Sequence, residues 1–458
     1  MGNHLFSLIK TKYAIPFIVV TALVHSAETF AAKLDMDIGV NSELIWTDNV
    51  DIAAVERNSD TYLAVNPYIR IKRDNSRISA DLDYQIKATA YTQYSGRNDL
   101  QHLFRSNLGI EIYRDYFFTD IYIASESEVI DASKAISFDG LSYDTNTTDK
   151  YTAKVSPRGV VPVIGDIGID FSSSHGKTIY DQDLNDIEEH SAFVSLGTAS
   201  RGTSFNWGIN ANKEYSLEET QNPTEYEQLD FSFSYPIFNR ALFSAKYGEK
   251  REVLSSETDR SWDKGEIWNA SLAYAISAKT RIECGNGKDL HGDTFKFSLA
   301  HETPRSKISL GYDESQITQL IKDIPFKFNR FVDVYVQKQS SVNWKLTGVK
   351  NTVSLDLKRD ERYYRNIDAE EVLMSANVRW EHKLSGRSNI IGVINWWRLG
   401  DDEIDRIDDM VLYSLKYDRK IGNKSNWYVG ADAGIRDGVE AALEYKEFKF
   451  KLGAELSY

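Results

Sequence analysis

The sequence Phe448-Lys-Phe-Lys-Leu-Gly-Ala-Glu-Leu-Ser-Tyr458 alternates apolar and polar residues and ends on an aromatic residue. Side chains on a β-strand point to opposite faces with a period of two, so this segment is predicted to be a strand with one apolar and one polar face. No polar extension follows it. We therefore expect the chain to end inside a sheet.

This ending resembles the closing strand of outer-membrane β-barrels, whose terminal aromatic residue is read by the barrel-assembly machinery. The resemblance implies a barrel-assembly signal on the apolar face of the segment. Its residues are Phe448, Phe450, Leu452, Leu456 and Tyr458. It also implies two partners, the barrel-assembly machinery and the lipids of the outer membrane.

The amino-terminal residues have the layout of a secretory signal peptide. Lys10 and Lys12 precede an apolar run over residues 14–24, and the small-residue stretch Thr29-Phe-Ala-Ala32 follows. The run is too short for a membrane-spanning helix of ~20 residues. We predict a signal peptide over residues 1–31, with cleavage after Ala31 or Ala32, and a barrel over residues 32–458. No later apolar run reaches about 18 residues, which leaves periplasmic, secreted or outer-membrane destinations.

The composition agrees with a barrel without requiring one. The net charge is −14 and 41% of the residues are hydrophobic, which is low for a helical membrane protein. Only every second residue of a barrel strand meets lipid, so such proteins look soluble by composition. The 26 tyrosines and 9 tryptophans suit interfacial girdles. The acidic balance gives no reason to expect a nucleic-acid partner.

Alternation with a period of two extends through most of the chain. In residues 78–94, Ile78, Ala80 and Leu82 begin an apolar face, and Asp81 and Asp83 lie on the polar one. Similar alternation occurs in residues 34–46, 63–71, 102–112, 205–215, 229–235, 372–382, 411–417 and 427–435. No long segment has apolar residues three and four apart, as a helix would need. The chain is predicted to be nearly all strand.

The connections between these segments alternate in length, which is typical of a membrane barrel. The short connections lie at residues 73–76, 114–115, 238–240, 277–280, 304–306, 347–348 and 384–387. The long ones are 47–60, 127–149, 180–188, 216–225, 254–264, 315–328 and 400–406. Acidic runs within the long set are read as solvated outer loops; cation binding is the alternative, although their spacing matches no calcium loop.

The predicted fold is all-β, a single large antiparallel transmembrane β-barrel of about 22 strands, with an even number from roughly 16 to 24. The range allows for segments such as 154–163 and 280–284, whose alternation is weak and which could merge with neighbouring strands or not form strands. The strand that starts near Leu34 should pair with the strand that ends at Tyr458, which removes both sheet edges. Strands begin within a few residues of the cleavage site. We therefore expect no plug domain, and no energy-coupled uptake.

Catalytic and metal-binding patterns are weak. The histidines are scattered, and no nucleophile elbow, phosphate loop or zinc-protease helix occurs. Ser174 precedes His175, as a lipase-like pair would need, but adjacent strand residues point to opposite faces. We predict no enzymatic activity, no cofactor and no metal site.

The polar faces of the strands give the functional hypothesis. The lumen candidates are Asp81, Asp83, Lys87, Tyr91, Asp356, Lys358, Asp360, Arg362, Arg379 and Glu381. Both signs of charge together with tyrosine suit a hydrated passage for sugars or small polar solutes. Alternatively, opposite charges pair across the interior and plug it, which leaves a structural barrel.

A family resemblance is carried by the amino-terminal third. Leu44-Ile-Trp-Thr-Asp-Asn-Val-Asp-Ile52 is followed by Val65-Asn-Pro-Tyr-Ile-Arg-Ile71 and Ile78-Ser-Ala-Asp-Leu-Asp-Tyr84. This order resembles the outer-membrane proteins associated with the PEP-CTERM/exosortase system of exopolysaccharide-producing Gram-negative bacteria. The resemblance covers about residues 40–115 and implies exopolysaccharide and its export components as partners.

Three hypotheses thus follow from the sequence. The first is a porin-like or exopolysaccharide-export pore in the outer membrane. The second is a structural or adhesive barrel that organises surface polysaccharide without transport. The third is that the protein is not a membrane protein and folds as a secreted β-solenoid or β-sandwich.

Overall fold

The computed structural model of the chain is an antiparallel β-structure. It describes residues 34–75, 77–129, 147–181, 185–198, 205–218, 224–253, 262–320, 332–364, 369–401, 406–438 and 444–458. The predicted signal peptide lies outside the described residues.

The described strands number 22. The first eleven are β1 (Leu34–Thr47), β2 (Asp60–Asp74), β3 (Ile78–Tyr91), β4 (Asp99–Tyr113), β5 (Phe117–Val129), β6 (Thr147–Ile164), β7 (Ile167–Tyr180), β8 (Ile187–Thr198), β9 (Asn206–Glu218), β10 (Thr224–Phe238) and β11 (Ala241–Val253). The others are β12 (Trp262–Ser277), β13 (Thr280–Asp289), β14 (Gly292–Glu302), β15 (Ser306–Leu320), β16 (Val332–Thr347), β17 (Asn351–Tyr364), β18 (Ala369–Ser385), β19 (Ser388–Asp401), β20 (Arg406–Lys420), β21 (Ser425–Asp437) and β22 (Tyr445–Ser457).

Each strand pairs antiparallel with its neighbours in chain order, and the sheet closes on itself. β1 pairs with β22 in a register that runs from Gly39 opposite Ser457 to Thr47 opposite Lys449. Closure gives the backbone groups of the two terminal strands partners on both sides, which a lipid environment requires. The weak sequence segments 154–163 and 280–284 lie in β6 and β13.

The period of two sorts the side chains into an apolar outer face and a polar inner face. On β22, Phe448, Phe450 and Leu452 are exposed, whereas Glu447 and Lys449, which alternate with them, are buried. Directly opposed residues of neighbouring strands share a face, so the register extends this sorting around the barrel. An apolar exterior is the surface that hydrocarbon requires.

The two ends of the barrel differ in their connections. At the short-turn end, most neighbouring strands are joined by two to four residues, as in β10 to β11 and β18 to β19. At the long-loop end most connections are longer. The clearest exceptions are the tight turn at residues 290–291, which lies at the long-loop end, and the wider separation between the end of β8 at Thr198 and the start of β9 at Asn206, which lies at the other end.

The described helix is a single 3-10 turn, Ser95–Arg97, between β3 and β4. Among the residues that the structure describes, no helix has the length and apolar character needed to cross a membrane.

The closure seam between β1 and β22 carries two tyrosines on its inner face. Tyr428 of β21 lies over Gly453 of β22 and donates its hydroxyl to Glu43 of β1. A Cβ atom on Gly453 would overlap the Tyr428 ring, so this seat requires glycine. Lys416 lies over the same ring at 3.7 Å from its centroid.

The second tyrosine crosses the seam in the opposite direction. Tyr68 of β2 lies over Gly39 of β1, and its hydroxyl is 3.3 Å from the Glu455 carboxylate of β22. Each tyrosine therefore bridges an intervening strand to reach the far side of the seam. We call Tyr428 and Tyr68, with their glycine seats, the seam staples.

Candidate functional site

The lumen holds the residues that the sequence singled out. All ten predicted lumen residues lie on the polar, inward-facing side of their strands, as the register shows. They are Asp81, Asp83, Lys87 and Tyr91 on β3, Asp356, Lys358, Asp360 and Arg362 on β17, and Arg379 and Glu381 on β18. The structure places them in different environments, however, since Tyr91, Asp360 and Arg362 are buried whereas the other seven are half-buried or exposed.

The first environment is a water-exposed wall on β1 to β6 toward the short-turn end. Along one row across the strands, Asp37, Arg70, Asp83 and Arg105 alternate in sign. Arg70 Nε is 3.3 Å from the Asp83 carboxylate, and both side chains are 46% exposed. We call the inward residues of this region the solvated wall. Such exposed pairs contribute only about 0–1 kcal/mol each to stability.

The second environment is a buried ring around the long-loop end. We call it the collar. Its main members are Ile45, Thr47, Tyr62, Tyr91, Lys250, Glu252, Asp360, Arg362, Glu371, Asp408, Arg436, Glu447 and Lys449.

Charged residues make the collar on β16 to β18. The Asp360 carboxylate accepts hydrogen bonds from Gln337 at 2.6 Å and from Arg362 at 2.8 Å. Arg362 also approaches Glu371 at 3.4 Å. The Asp360 side chain is 0% exposed. Buried carboxylates need partners of this kind, since an ion without them is costly to desolvate.

A second charged group completes the collar on β11 and β13. Lys250 Nζ is 3.0 Å from the Asp289 carboxylate, and the Glu252 carboxylate is 3.0 Å from His291 Nε2. His291 lies in the short turn between β13 and β14. The tight turn therefore delivers a side chain into the collar.

On β1 to β3 the collar is apolar instead. Val50, from the connection after β1, belongs to one buried apolar cluster with Ile45, Tyr62 and Tyr91. The rings of Tyr62 and Tyr91 lie 4.8 Å apart. The chain reaches this position through Ile52, whose φ of 54° is unusual for a β-branched residue. The connection thus folds inward over the lumen.

Hydrogen bonds to the Asp60 carboxylate fix the neighbouring connection between β3 and β4. The carboxylate accepts the Thr92 hydroxyl at 2.6 Å and the backbone N–H groups of Gln93 and Tyr94. Arg97 pairs with Asp51 across the two connections. The two connections therefore form one body at this mouth.

The ion pairs bear on the alternative that opposite charges plug the interior. Every ion pair between two described residues joins side chains of one strand, of strands no more than two places apart, or of the connections beside them. None of these pairs crosses the lumen.

A third part of the lining was missed by the sequence reasoning. On β8 to β10, Asn210 Nδ2 donates to Asp230 at 2.9 Å and to Ser232 at 3.0 Å, and Ser195 donates to Asn210 at 2.7 Å. These are small uncharged groups with an acid at one side. On a polar strand face, serine and asparagine give no sequence signal that distinguishes lining from ordinary surface.

The serine and histidine that suggested a catalytic pair point to opposite faces. Ser174 faces inward and bonds Ser156 at 3.0 Å, whereas His175 faces outward with its Nδ1 2.9 Å from Nδ1 of His190. Within the described ranges, no group of three or more His, Cys, Asp or Glu side chains is placed to hold a metal ion.

Comparison with known proteins finds similarity in structure alone. No protein-family profile and no curated protein sequence matches the chain. Among solved structures, the FrpB iron transporter from Neisseria meningitidis (F3-3 variant) matches with a TM-score of 0.58 and 7% identity, over 93% of this chain and 82% of that one. The siderophore receptor PirA from Pseudomonas aeruginosa matches with a TM-score of 0.54 and 8% identity, over 92% and 80%.

The closed sheet and these matches define the class of protein. It is an all-β, 22-stranded antiparallel barrel of the outer membrane. Its fold resembles that of the siderophore receptor and the iron transporter in these two structures. Because barrels of this class have their short turns in the periplasm, the long-loop end faces outward.

One element of the predicted fold class is wrong, the absence of a plug domain. The matching structures are TonB-dependent siderophore receptors, which carry a plug domain. The physical reason is size, since outer-membrane transporters with 22 strands enclose a lumen wide enough to be plugged. A short distance between the predicted signal peptide and β1 suggested that there is no plug, but the position of the first strand does not determine what fills a barrel. The prediction of no energy-coupled uptake depended on the absence of a plug, so it no longer has a basis.

Proposed function

We propose that this outer-membrane barrel is a passage for polar solutes, in particular saccharides, and that it serves the exopolysaccharide machinery implied by the sequence resemblance. The observation that carries the proposal is the pattern of ion pairs. The ion pairs of the described lumen join close neighbours along the wall and none of them crosses the lumen, while the paired side chains of the solvated wall remain exposed.

The wall chemistry suits weak, repeated contact. A solute that moves past Asp37, Arg70, Asp83 and Arg105 meets alternating donors and acceptors at the ~4.8 Å strand spacing. Conduction requires binding that is favourable enough to enter and weak enough to leave. Half-exposed pairs of opposite sign meet this condition because neither partner is committed to a buried bond. The proposal assigns no catalytic step to the chain.

Single-channel recording and liposome swelling test the proposal. Purified full-length protein in a planar bilayer is expected to give discrete conductance steps, and proteoliposomes should swell in neutral sugars. Replacing Val50 with Asp, which places a charge in the apolar part of the collar, should raise the conductance by releasing the inward connection. Replacing the exposed Val55 with Asp in the same connection is the matched control. Protein that is folded by gel mobility but shows no conductance at any voltage would refute the passage.

The runner-up is a structural or adhesive barrel. The observation in its favour is the collar, since a ring of buried, mutually paired charges stabilises a closed mouth. On this alternative, the Val50→Asp variant would lose surface polysaccharide in cells while the parent and the variant both remained non-conducting.

A further inference from the structure

A recess of about 450 Å³ lies in the solvated wall, across β2 to β6. Its volume is within the range of small-molecule sites. One row of opposed residues crosses it from strand to strand. The row is Lys72, Asp81, Asn107, Tyr122 and Lys154.

Small residues create the depth of the recess. The adjacent row toward the short-turn end consists of Asp74, Ser79, Gly109, Asp120 and Ser156, and its small members are Ser79, Gly109 and Ser156. A Cβ atom on Gly109 would lie 2.6 Å from Ser79 Oγ, so glycine keeps the floor low here. The larger side chains of the first row therefore stand above a depression.

The charges of the recess are unequally satisfied. Lys72 pairs with Asp81 at 3.3 Å, and Asp120 pairs with Arg158 at 2.9 Å. For Lys154, no carboxylate in the part of the chain that the structure describes lies within 4.0 Å of its ammonium group. Four strand spacings separate Lys154 from β2, roughly 19 Å along the wall. The recess thus presents one exposed, uncommitted cation at one end.

The middle of the row supplies neutral groups. The Asn107 side chain offers two N–H donors and one acceptor, and none of them is committed within the described residues. Tyr122 offers an apolar ring with a polar tip. Side chains spaced by the ~4.8 Å between strands match the repeat of successive sugar rings laid across the strands.

We propose that this row binds an oligosaccharide that carries a carboxylate, with Lys154 holding the carboxylate, Asn107 bonding ring hydroxyls and Tyr122 packing against a ring face. The inference rests on the proposed function insofar as saccharides reach the lumen. Asp81 and Asp120 are paired with Lys72 and Arg158, so they can accept hydrogen bonds from sugar hydroxyl groups and repel an anionic ligand less than unpaired carboxylates would.

Calorimetric titration of the full-length protein in detergent micelles tests this assignment separately from transport. The probes are trigalacturonate and the neutral maltotriose. Trigalacturonate should bind about tenfold more tightly, since one charge-assisted bond to an exposed site is worth roughly 1.4 kcal/mol. Lys154→Gln should abolish that preference. Lys345→Gln, on the opposite wall at an exposed inward lysine of β16, should not change it.

A second variant guards against a trivial loss of fold. Asn107→Asp keeps the size of the side chain and adds a negative charge in mid-row, so it should weaken trigalacturonate binding and leave maltotriose binding nearly unchanged. Equal affinity for the two probes, or a preference unaffected by Lys154→Gln, would overturn the assignment. Binding without conductance would refute the proposed passage but support the saccharide site in the recess. Conductance without binding would support the passage and refute the saccharide site.

Discussion

The Asp360–Arg362 pair of the collar and the Asp83–Arg70 pair of the solvated wall have the same chemistry and differ in their access to water. In the collar, Asp360 is 0% and Arg362 10% exposed. In the wall, both partners are 46% exposed. The same two functional groups therefore stabilise the mouth in one place and line a wet surface in the other.

The difference shows how one polar strand face can serve two purposes. A buried pair is costly to break because the remaining charge is left buried without a partner and without solvation by water. An exposed pair is nearly neutral for stability because water replaces either partner. The barrel can thus be rigid at its outward end, while the ion pairs along its wall can exchange their partners with water or a solute.

The largest expected effect comes from breaking the buried pair. Asp360→Ala leaves Arg362 without its closest carboxylate and should lower the free energy of unfolding by about 3–5 kcal/mol. Asp83→Ala should lower it by about 0–1 kcal/mol. Urea unfolding in detergent micelles, followed by the gel mobility of the folded barrel, measures both. Equal losses for the two variants would remove the distinction between collar and wall.

The apolar part of the collar should give the next largest effect. Ile45→Ala opens a cavity beneath Val50 and should cost about 2–4 kcal/mol. The adjacent Leu44 faces outward and is exposed, so Leu44→Ala is the control and should change the urea midpoint little. A larger loss for Leu44→Ala would mean that the inward connection does not stabilise the mouth.

The seam staples should contribute less per residue. Tyr428→Phe removes the hydroxyl that donates a hydrogen bond to Glu43, and it should lower the free energy of unfolding by about 1–2 kcal/mol. Gly453→Ala should lower the yield of folded barrel, because its Cβ would overlap the Tyr428 ring. Gly430→Ala, one row away, adds a Cβ no closer than 3.4 Å to its nearest neighbour and serves as the control. The test is the midpoint temperature of the mobility shift, together with the folded fraction after refolding.

The smallest expected effect is that of salt. Raising the salt from ~0.1 M to ~1 M shortens the screening length from about 10 Å to about 3 Å. The small stability difference between wild type and Asp83→Ala should vanish, whereas the difference for Asp360→Ala should persist. A salt-sensitive Asp360→Ala difference would show that water reaches the collar.

The strand faces could be predicted from sequence because a period of two is a local property. Asp83, Asp356 and Arg379 take their inward positions from that alternation alone. The burial of Tyr91, Asp360 and Arg362 could not be predicted, since it depends on connections and strands that are distant in the chain. The alternation placed Tyr91 in a hydrated lumen, yet it lies in the buried apolar cluster that includes Val50 and Tyr62. No strand pattern specifies what occupies a lumen, which is why the prediction on the plug domain was wrong.

The seam staples have a consequence for how the chain is made. Tyr428 and Glu43 are separated by 385 positions, and Tyr68 and Glu455 by 387. Neither seam staple can form its hydrogen bond until nearly the whole polypeptide has been delivered to the membrane. A product cut short before β22 has no Gly453 seat and no Glu455 acceptor, so it remains an open sheet whose unpaired edges hydrocarbon does not tolerate. Both hydrogen bonds therefore form only in a chain that contains its first two and its last two strands together.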